Sequence, residues 1–139
     1  MRNGASNISL ALRAGKLVYG DANVSEAVQE KRVRLICTAA DVSEKVRERA
    51  RRMPERSNGL YTELVFTQAE LGAVVGVETC TVIAFLDEGL AWGFVQKLVV
   101  EDAARYQALL DELTMRHKRA QKRREKKHGT KKSLREITK

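Results

Sequence analysis

Two apolar segments of strand length constrain the fold of this chain more than any other feature. Residues 35–39 (LICTA) and 80–86 (CTVIAFL) carry almost no polar side chains and do not alternate between apolar and polar positions. A strand of this kind is buried on both of its faces, so other layers must cover the sheet on both sides. The two segments therefore predict the central strands of an α/β protein.

Helical and strand-like patterns alternate along the chain between the start and the second apolar segment. Residues 17–19 predict a short strand after a helix that Ser6 or Asn7 can cap and that Gly15 can end. Residues 62–66 predict a further strand, and apolar side chains at helical spacing predict the intervening helices. This order predicts a three-layer α/β/α sandwich around a four-stranded sheet.

Local signals predict where individual helices begin. Thr67 and Glu70 have the spacing of a capping box, and Asp41 with Glu44 resembles one with aspartate at the cap position. Pro54 is expected to end the helix that Asp41 starts. Gly72 lies inside the helix that Thr67 starts, where glycine costs stability, so we expect it to let another backbone come close.

The positive charge is concentrated at the carboxyl end. Residues 116–139 contain 12 Lys and Arg and 2 Asp and Glu, a net charge of +10, whereas the whole chain carries +8 and residues 1–115 therefore carry −2. We predict an α/β/α domain over residues 1–100, an amphipathic helix over residues 101–115 and a basic tail over residues 116–139.

The basic tail predicts binding to a polyanion. Its cations repel one another in a free helix, whereas on RNA that repulsion is relieved and counterion release favours binding. We expect the tail to be disordered when free and helical on RNA; the alternative is a solubilising segment without a partner. The tail residues expected to contact RNA are Arg119, Lys122, Arg123, Arg124, Lys126 and Lys127.

Four runs in order carry a resemblance to a known family: AGKLVYG at residues 14–20, VRLI at 33–36, ELG at 70–72 and VIAFLDEG at 82–89. Together they resemble the kink-turn-binding superfamily of ribosomal proteins (the L-seven-Ae and L-thirty-e type), and among its subgroups the bacterial YlxQ-type proteins. The resemblance spans roughly residues 7–98. It implies a mixed sheet and a non-enzymatic protein that binds structured RNA, with ribosomal and kink-turn RNA as the expected partners.

The resemblance also implies which residues face RNA. A helix that begins at glycine offers free backbone N–H groups to a phosphate or a base edge, and an adjacent loop can lie against splayed bases. Carried over by position, the RNA-facing residues are Lys16, Gly20, Asp21, Ala22 and Asn23, with Val77, Glu78 and Thr79 in the loop.

The chain departs from the family pattern on the helix that follows Gly20. Family members that bind kink-turns typically carry Gly-x-Asn-Glu at the turn, then a lysine and an arginine where this chain has Glu26 and Glu30. Two carboxylates on a phosphate-facing helix would repel RNA. The cations just beyond them could shift the contact along the surface, or could form a solvated helix end; they are Lys31, Arg32 and Arg34.

Other functional classes have less support in the sequence. Both histidines lie in the tail, and no hydrolase or phosphate-loop motif appears, so we expect neither catalysis nor a cofactor. Cys37 and Cys80 are expected to be reduced core residues, and without a Cys-x-x-Cys pair they do not predict a metal site. Trp92 is expected to form a partly exposed patch, where stacking on a base is possible.

The location and the alternative function follow from the same features. Without an apolar run of membrane-spanning length or an export signal, we expect a cytoplasmic protein. The alternative to RNA binding is a protein-interaction module in which residues 102–115 dock or self-associate through Tyr106, Leu110 and Leu113.

Overall fold

The computed structural model describes the backbone of residues 2–137 and the side chains of residues 2–125. The helices and strands follow in the order α1 (Ala5–Arg13), β1 (Leu17–Tyr19), α2 (Asp21–Gln29), β2 (Leu35–Thr38), α3 (Glu44–Arg52), a 3₁₀ helix (Met53–Arg56), β3 (Leu60–Glu63), α4 (Gln68–Val75), β4 (Val82–Phe85), α5 (Glu88–Glu101) and α6 (Ala103–Ile137).

The four strands form one mixed sheet in the order β1-β4-β2-β3. β4 is antiparallel to both β1 and β2, whereas β2 and β3 are parallel. All residues of β2 and β4 are buried. The prediction that the two apolar segments form central strands is therefore confirmed.

Helices cover both faces of the sheet, which confirms the three-layer α/β/α sandwich. Leu35 and Cys37 of β2 point into a core formed with α1, α4, α5 and α6, whereas Ile36 points into a core formed with α2 and α3. Successive side chains of a strand face opposite sides, so an uninterrupted apolar strand supplies both cores. The basic extension of the predicted fold is present as the long helix α6.

The capping box and the close approach at Gly72 are both confirmed. The Thr67 hydroxyl accepts a hydrogen bond from the Glu70 amide at 3.1 Å, and the Glu70 carboxylate accepts one from the Thr67 amide at 3.2 Å. A Cβ atom on Gly72 would lie 2.8 Å from the carbonyl oxygens of both Val77 and Glu78. Glycine at this position therefore lets the loop before β4 pack directly on α4.

Two predicted helix starts are wrong. The cap of α3 is Ser43, whose hydroxyl accepts a hydrogen bond from the Val46 amide, while the Asp41 carboxylate instead accepts one from the Gln68 amide at 2.8 Å. α1 begins after Gly4, whose φ of +92° sets the start of the helix ahead of the polar residues expected to cap it.

The predicted bounds of two other elements also change. β3 runs from Leu60 to Glu63 and ends where its partner β2 ends, at the pair of Glu63 with Thr38, and Leu64 and Phe66 pack into the core beyond the ladder. α6 runs without a break from Ala103 to Ile137, so the amphipathic helix and the basic tail form one helix, while the disorder expected for the free tail stays a prediction. The side chains of Lys126 and Lys127 lie outside the described residues.

Candidate nucleic-acid interface

The residues that the sequence assigns to RNA lie at two opposite ends of the sheet. The Gly20 amide donates a hydrogen bond to the carbonyl of Val82, where β4 begins, whereas the Leu86 amide, just past the end of β4, donates one to the carbonyl of Lys16. Four residues of extended strand span about 10 Å between their first and last Cα atoms. The predicted residues therefore form two surfaces rather than one.

We call the first surface the turn end and define it by residues 20–23 and 77–79. α2 begins at Gly20, which has a φ of +87°, and no side chain caps its first amide groups. The Asn23 side chain donates to the Tyr19 carbonyl at 3.1 Å, while Val77, Glu78 and Thr79 are exposed. The structure thus brings these two predicted RNA-facing segments to the same end of the sheet.

Arginines near the turn end are paired with carboxylates of the protein itself. Arg49 lies 3.1 Å from the Asp21 carboxylate, the second residue of the turn. Arg47 forms ion pairs with Glu44 at 2.7 Å and with Glu63 at 3.1 Å. These guanidinium groups are already engaged, so a phosphate would have to compete with a local carboxylate.

The pair formed by Arg2 and Glu70 repeats this arrangement on α4. Hydrogen bonds from the Arg2 guanidinium and from the Thr67 amide hold the pKa of the Glu70 carboxyl below its ordinary value. Glu26, at a position where the kink-turn-binding proteins carry a lysine, is exposed on α2, whereas Glu30 follows the end of α2 and pairs with Arg32. The arginines near the turn end are therefore neutralised by carboxylates of the same chain.

We call the second surface the arginine end and define it by Arg34, Arg116, Arg119, Arg123 and Arg124. These side chains line a cavity of about 490 Å³ between the end of β4 and α6. Its other lining residues are Asn58, Leu86, Asp87, Glu88, Gly89, Glu112, His117 and Ala120. A cavity of this size lies within the range that accommodates small ligands or a piece of a larger one.

The start of the basic tail is fastened to the folded domain. The Arg116 guanidinium donates to the carbonyl of Asn58 at 2.6 Å and to the Glu112 carboxylate at 3.0 Å. The His117 ring stacks on Trp92 with 4.8 Å between the ring centroids and 19° between the planes. The first turn of the predicted tail is therefore part of the protein body.

Trp92 is partly exposed, as predicted, but one face of its indole is already covered. His117 covers one face of its indole, and the indole N–H donates to the Thr114 hydroxyl at 3.0 Å. Gly89 permits this packing, because a Cβ there would lie 3.3 Å from the His117 ring. Trp92 acts as an anchor for α6.

Four of the five arginines of the arginine end have no carboxylate partner among the side chains of residues 2–125. Among the side chains that the structure describes, none forms an ion pair with Arg34, Arg119, Arg123 or Arg124, and all four are exposed. Of the three carboxylates at the cavity, Glu112 binds Arg116 and Asp87 caps α5 by accepting from the Leu90 amide at 2.9 Å. The unpaired guanidinium groups form a surface suited to anions.

Three further predicted residues lie toward the arginine end, which corrects their predicted position. Lys16 precedes β1 and bonds to Leu86 through its carbonyl, while Lys31 and Arg32 follow the end of α2. Lys16 was grouped with Gly20 by the resemblance, and Lys31 and Arg32 were expected either to shift the RNA contact along the surface or to form a solvated helix end. α2 carries the chain from one end of the sheet to the other, so none of the three lies beside Gly20. Arg32 is paired with Glu30 at 3.1 Å, and Lys122 is exposed on α6.

The face of residues 102–115 that was expected to dock a partner is used inside the protein. Tyr106 and Leu113 are 2% and 0% exposed and belong to the main core. The Tyr106 hydroxyl also donates to the Glu63 carbonyl at 3.0 Å. These two side chains pack beneath α5 and the sheet edge, so they are not free for a second protein.

The arginine end could have been found in the sequence by extending the buried face of residues 102–115 further along the chain. Tyr106, Leu110 and Leu113 recur at spacings of four and three residues, and the next positions in that series are His117, Ala120 and Arg124. Ala120, a small residue among cations, keeps the phase of the buried face. The signal was present, but the high local charge obscured it.

The two cysteines are buried free thiols, as predicted. Cys37 is 0% exposed and Cys80 is 4% exposed. Burial raises the pKa of both thiols above the ordinary value, which disfavours the reactive thiolate. Their role is core packing.

Comparisons with known proteins bear on the fold. No helix among the described residues combines the length and the apolar composition needed to cross a membrane. No family model and no curated protein matches the chain. A solved structure of a protein of unknown function from Bacillus halodurans is similar, with a TM-score of 0.62 and 22% identity over 69% of this chain and 96% of the other. This likeness shows a shared fold.

Proposed function

We propose that this chain is a non-enzymatic RNA-binding protein that binds structured RNA, of the ribosomal or kink-turn-like class, in the cytoplasm. The observation that carries the proposal is the arginine end, where Arg34, Arg119, Arg123 and Arg124 surround one cavity without a carboxylate partner among the described side chains. Guanidinium groups bind phosphate through paired hydrogen bonds, and RNA presents phosphates at regular spacing. The two buried free thiols fit a reducing compartment.

The electrostatic part of binding comes from the arginine end and the rest of α6. Residues 116–139 carry a net charge of +10 against −2 in residues 1–115, so they supply most of the attraction to a polyanion. Because Arg116 and His117 fasten α6 to the domain, the arginines that follow them along α6 are held beside the cavity. These arginines are Arg119, Arg123 and Arg124. A fixed row of cations loses less conformational entropy on binding than a free tail does.

The turn end supplies the shape-dependent part of binding in this proposal. The resemblance to the kink-turn-binding superfamily assigns RNA to residues 20–23 and 77–79, and α2 has uncapped amide groups at Gly20 that fit this role. Its arginines are engaged by carboxylates, and Glu26 is exposed there. We therefore expect its contribution to be weaker than that of the arginine end.

The test compares the salt dependence of RNA binding between two matched double variants of the full chain. Arg119→Gln with Arg123→Gln removes two unpaired cations from the arginine end. We expect the slope of log Kd against log salt to fall by about 2, because each lost phosphate contact lowers it by about 1. Fluorescence anisotropy with a kink-turn RNA and a plain hairpin gives both slopes.

The control is Lys45→Gln with Lys97→Gln, which removes the same charge from exposed positions on α3 and α5 away from the arginine end. We expect it to leave the slope within about 0.5 of the original value, because these residues lie outside the proposed contact. An equal fall of the slope in both variants would show that only total charge matters. An unchanged slope in both would show that the arginine end is not part of the RNA interface.

The alternative is a protein-interaction module that has lost the usual kink-turn mode. The observation that favours it is the turn end, where Asp21 and Glu63 already bind arginines of the same chain. Ultraviolet cross-linking in cells separates the two functions, because an RNA-binding protein forms direct cross-links to RNA. Recovery of protein partners without cross-linked RNA would favour the alternative.

A further inference from the structure

α2 and α3 lie side by side on one face of the sheet and enclose a groove of about 530 Å³. Val28 of α2 and Met53 of the 3₁₀ helix provide its apolar part. The remaining lining residues are Ser25, Gln29, Lys45, Glu48, Arg49, Arg52 and Arg56. The groove lies beside the turn end, since Arg49 on its wall pairs with Asp21, and it shares no lining residue with the cavity of the arginine end.

One wall of the groove is a row of cations. Lys45, Arg49, Arg52 and Arg56 follow one another at spacings of four, three and four residues. Residues with this spacing lie on one face of a helix, and the 3₁₀ helix continues the row past the end of α3. At 1.5–2 Å of rise per residue the row is roughly 17 Å long.

Most of this row is available to a partner. Arg49 is paired with Asp21, whereas no ion pair with Lys45, Arg52 or Arg56 occurs among the described side chains, and all three are exposed. Glu48, the one carboxylate at the groove, is paired with Arg51 on its outer side. The groove therefore has a net positive wall along its length.

We propose that this groove binds an acidic amphipathic segment of a partner protein. The segment's carboxylates face Lys45, Arg52 and Arg56, and its apolar side chains cover Met53, which is half-buried beside the buried Val28. Charge complementarity selects the sign of the partner. The apolar part selects a peptide over a nucleic acid, because a phosphate backbone gains nothing from Met53, whereas an amphipathic helix in a groove buries such a side chain. This inference does not depend on RNA binding at the arginine end.

The test uses the full chain and two synthetic peptides at 0.15 M salt. The first is an amphipathic peptide of Glu and Leu at helical spacing, and the second has the same number of Glu residues with Ser in place of Leu. We expect the first to shift the amide resonances of Val28, Gln29 and Met53 and to bind at least tenfold more tightly than the second. Equal affinity for both peptides would overturn the proposal, because it would leave only attraction between charges.

Two matched double variants test whether the peptide binds in the groove between α2 and α3. Arg52→Glu with Arg56→Glu is expected to raise the Kd of the Glu–Leu peptide at least tenfold. The control, Arg13→Glu with Lys97→Glu, makes an equal charge change on the other helical layer and is expected to change this Kd less than twofold. Circular dichroism of each variant checks that the fold is intact. Equal weakening in both variants, or tighter binding of a twelve-residue oligouridine than of the peptide at these same amides, would also overturn the proposal.

Discussion

Arginines lie at both ends of the sheet, but near the turn end they are paired with carboxylates and at the arginine end most of the described ones are not. Near the turn end, Arg47 and Arg49 are held by Glu63 and Asp21, so their charges are used within the protein. At the arginine end, Arg119 and Arg123 have no such partner among the described residues. The number of arginines on a surface is therefore a poor guide to how many of them are unpaired among the described side chains.

The largest effect is expected from a change that disturbs the turn end alone. A Cβ on Gly72 would lie 2.8 Å from the carbonyl oxygens of Val77 and Glu78, so Gly72→Ala must displace the loop. We expect the free energy of unfolding to fall by about 1–3 kcal/mol, as in other overpacked sites. Urea denaturation measures the fall, and RNA affinity is expected to drop less than threefold because the arginine end is untouched.

Gly93→Ala is the matched control for this substitution. Gly93 is also inside a helix, but its nearest atom to a new Cβ is the Asn7 side-chain nitrogen at 3.6 Å, an ordinary contact. We expect this variant to gain up to about 1 kcal/mol from helix propensity. If Gly72→Ala behaved in the same way, the close packing of the loop on α4 would be wrong; if it abolished RNA binding, the turn end would be the main RNA surface.

A smaller effect is expected from removing one of the contacts that attach α6 to the domain at the arginine end. His117→Ala removes the stack on Trp92, which is expected to cost about 0.5–1.5 kcal/mol of stability. RNA affinity is expected to fall as well, because α6 then has one contact fewer with α5 and its arginines are held less firmly beside the cavity. Trp92 fluorescence during urea denaturation reports the stability, and Lys118→Ala, an exposed neighbour, is expected to leave it unchanged.

A charge reversal on α2 tests whether the family's RNA surface is present at the turn end. Glu26→Lys restores a cation at a position where the family carries one, and we expect kink-turn RNA to bind about 2–5-fold more tightly, as an exposed charge is worth up to about 1 kcal/mol. Glu101→Lys makes the same charge change at the end of α5. Equal tightening by both variants would indicate unspecific attraction and would count against RNA at the turn end.

The smallest effect concerns the pH dependence of the paired charges near the turn end. The Arg2 guanidinium and the Thr67 amide lower the pKa of Glu70 in the folded state. A carboxyl group with a lowered folded pKa stabilises the protein above its unfolded pKa, and this contribution is lost as the pH falls through the folded pKa. Glu70→Gln is therefore expected to lower Tm at pH 7, and this difference from the original protein is expected to vanish as the pH falls through the lowered pKa of Glu70; a difference in Tm that does not change with pH would contradict the pairing.

The fold could be predicted largely because its decisive signals are local. The apolar segments around Ile36 and Ile83 gave the central strands, and the capping box at Thr67 gave the start of α4. Asp41 was misassigned because its partner, the Gln68 amide, is distant in sequence, and no local pattern distinguishes a helix cap from a loop contact.

The candidate site could be predicted only in its parts. Gly20, Arg34 and Arg119 were all identified as RNA-facing, but their assignment to different ends depends on the antiparallel direction of β4 and on the attachment of α6 through Arg116. Sequence spacing gives neither of these directly. The pairing of arginines with carboxylates is likewise a property of the folded state.

The central claim is that RNA binds at the arginine end of the folded protein. Ultraviolet cross-linking of the full chain to a kink-turn RNA, with mass spectrometry of the cross-linked peptides, tests it directly. If RNA binds at the arginine end, we expect cross-links in peptides that contain Arg34 or residues 116–125, with fewer at residues 20–23 and 77–79. Cross-links confined to residues 20–23 and 77–79 would contradict it.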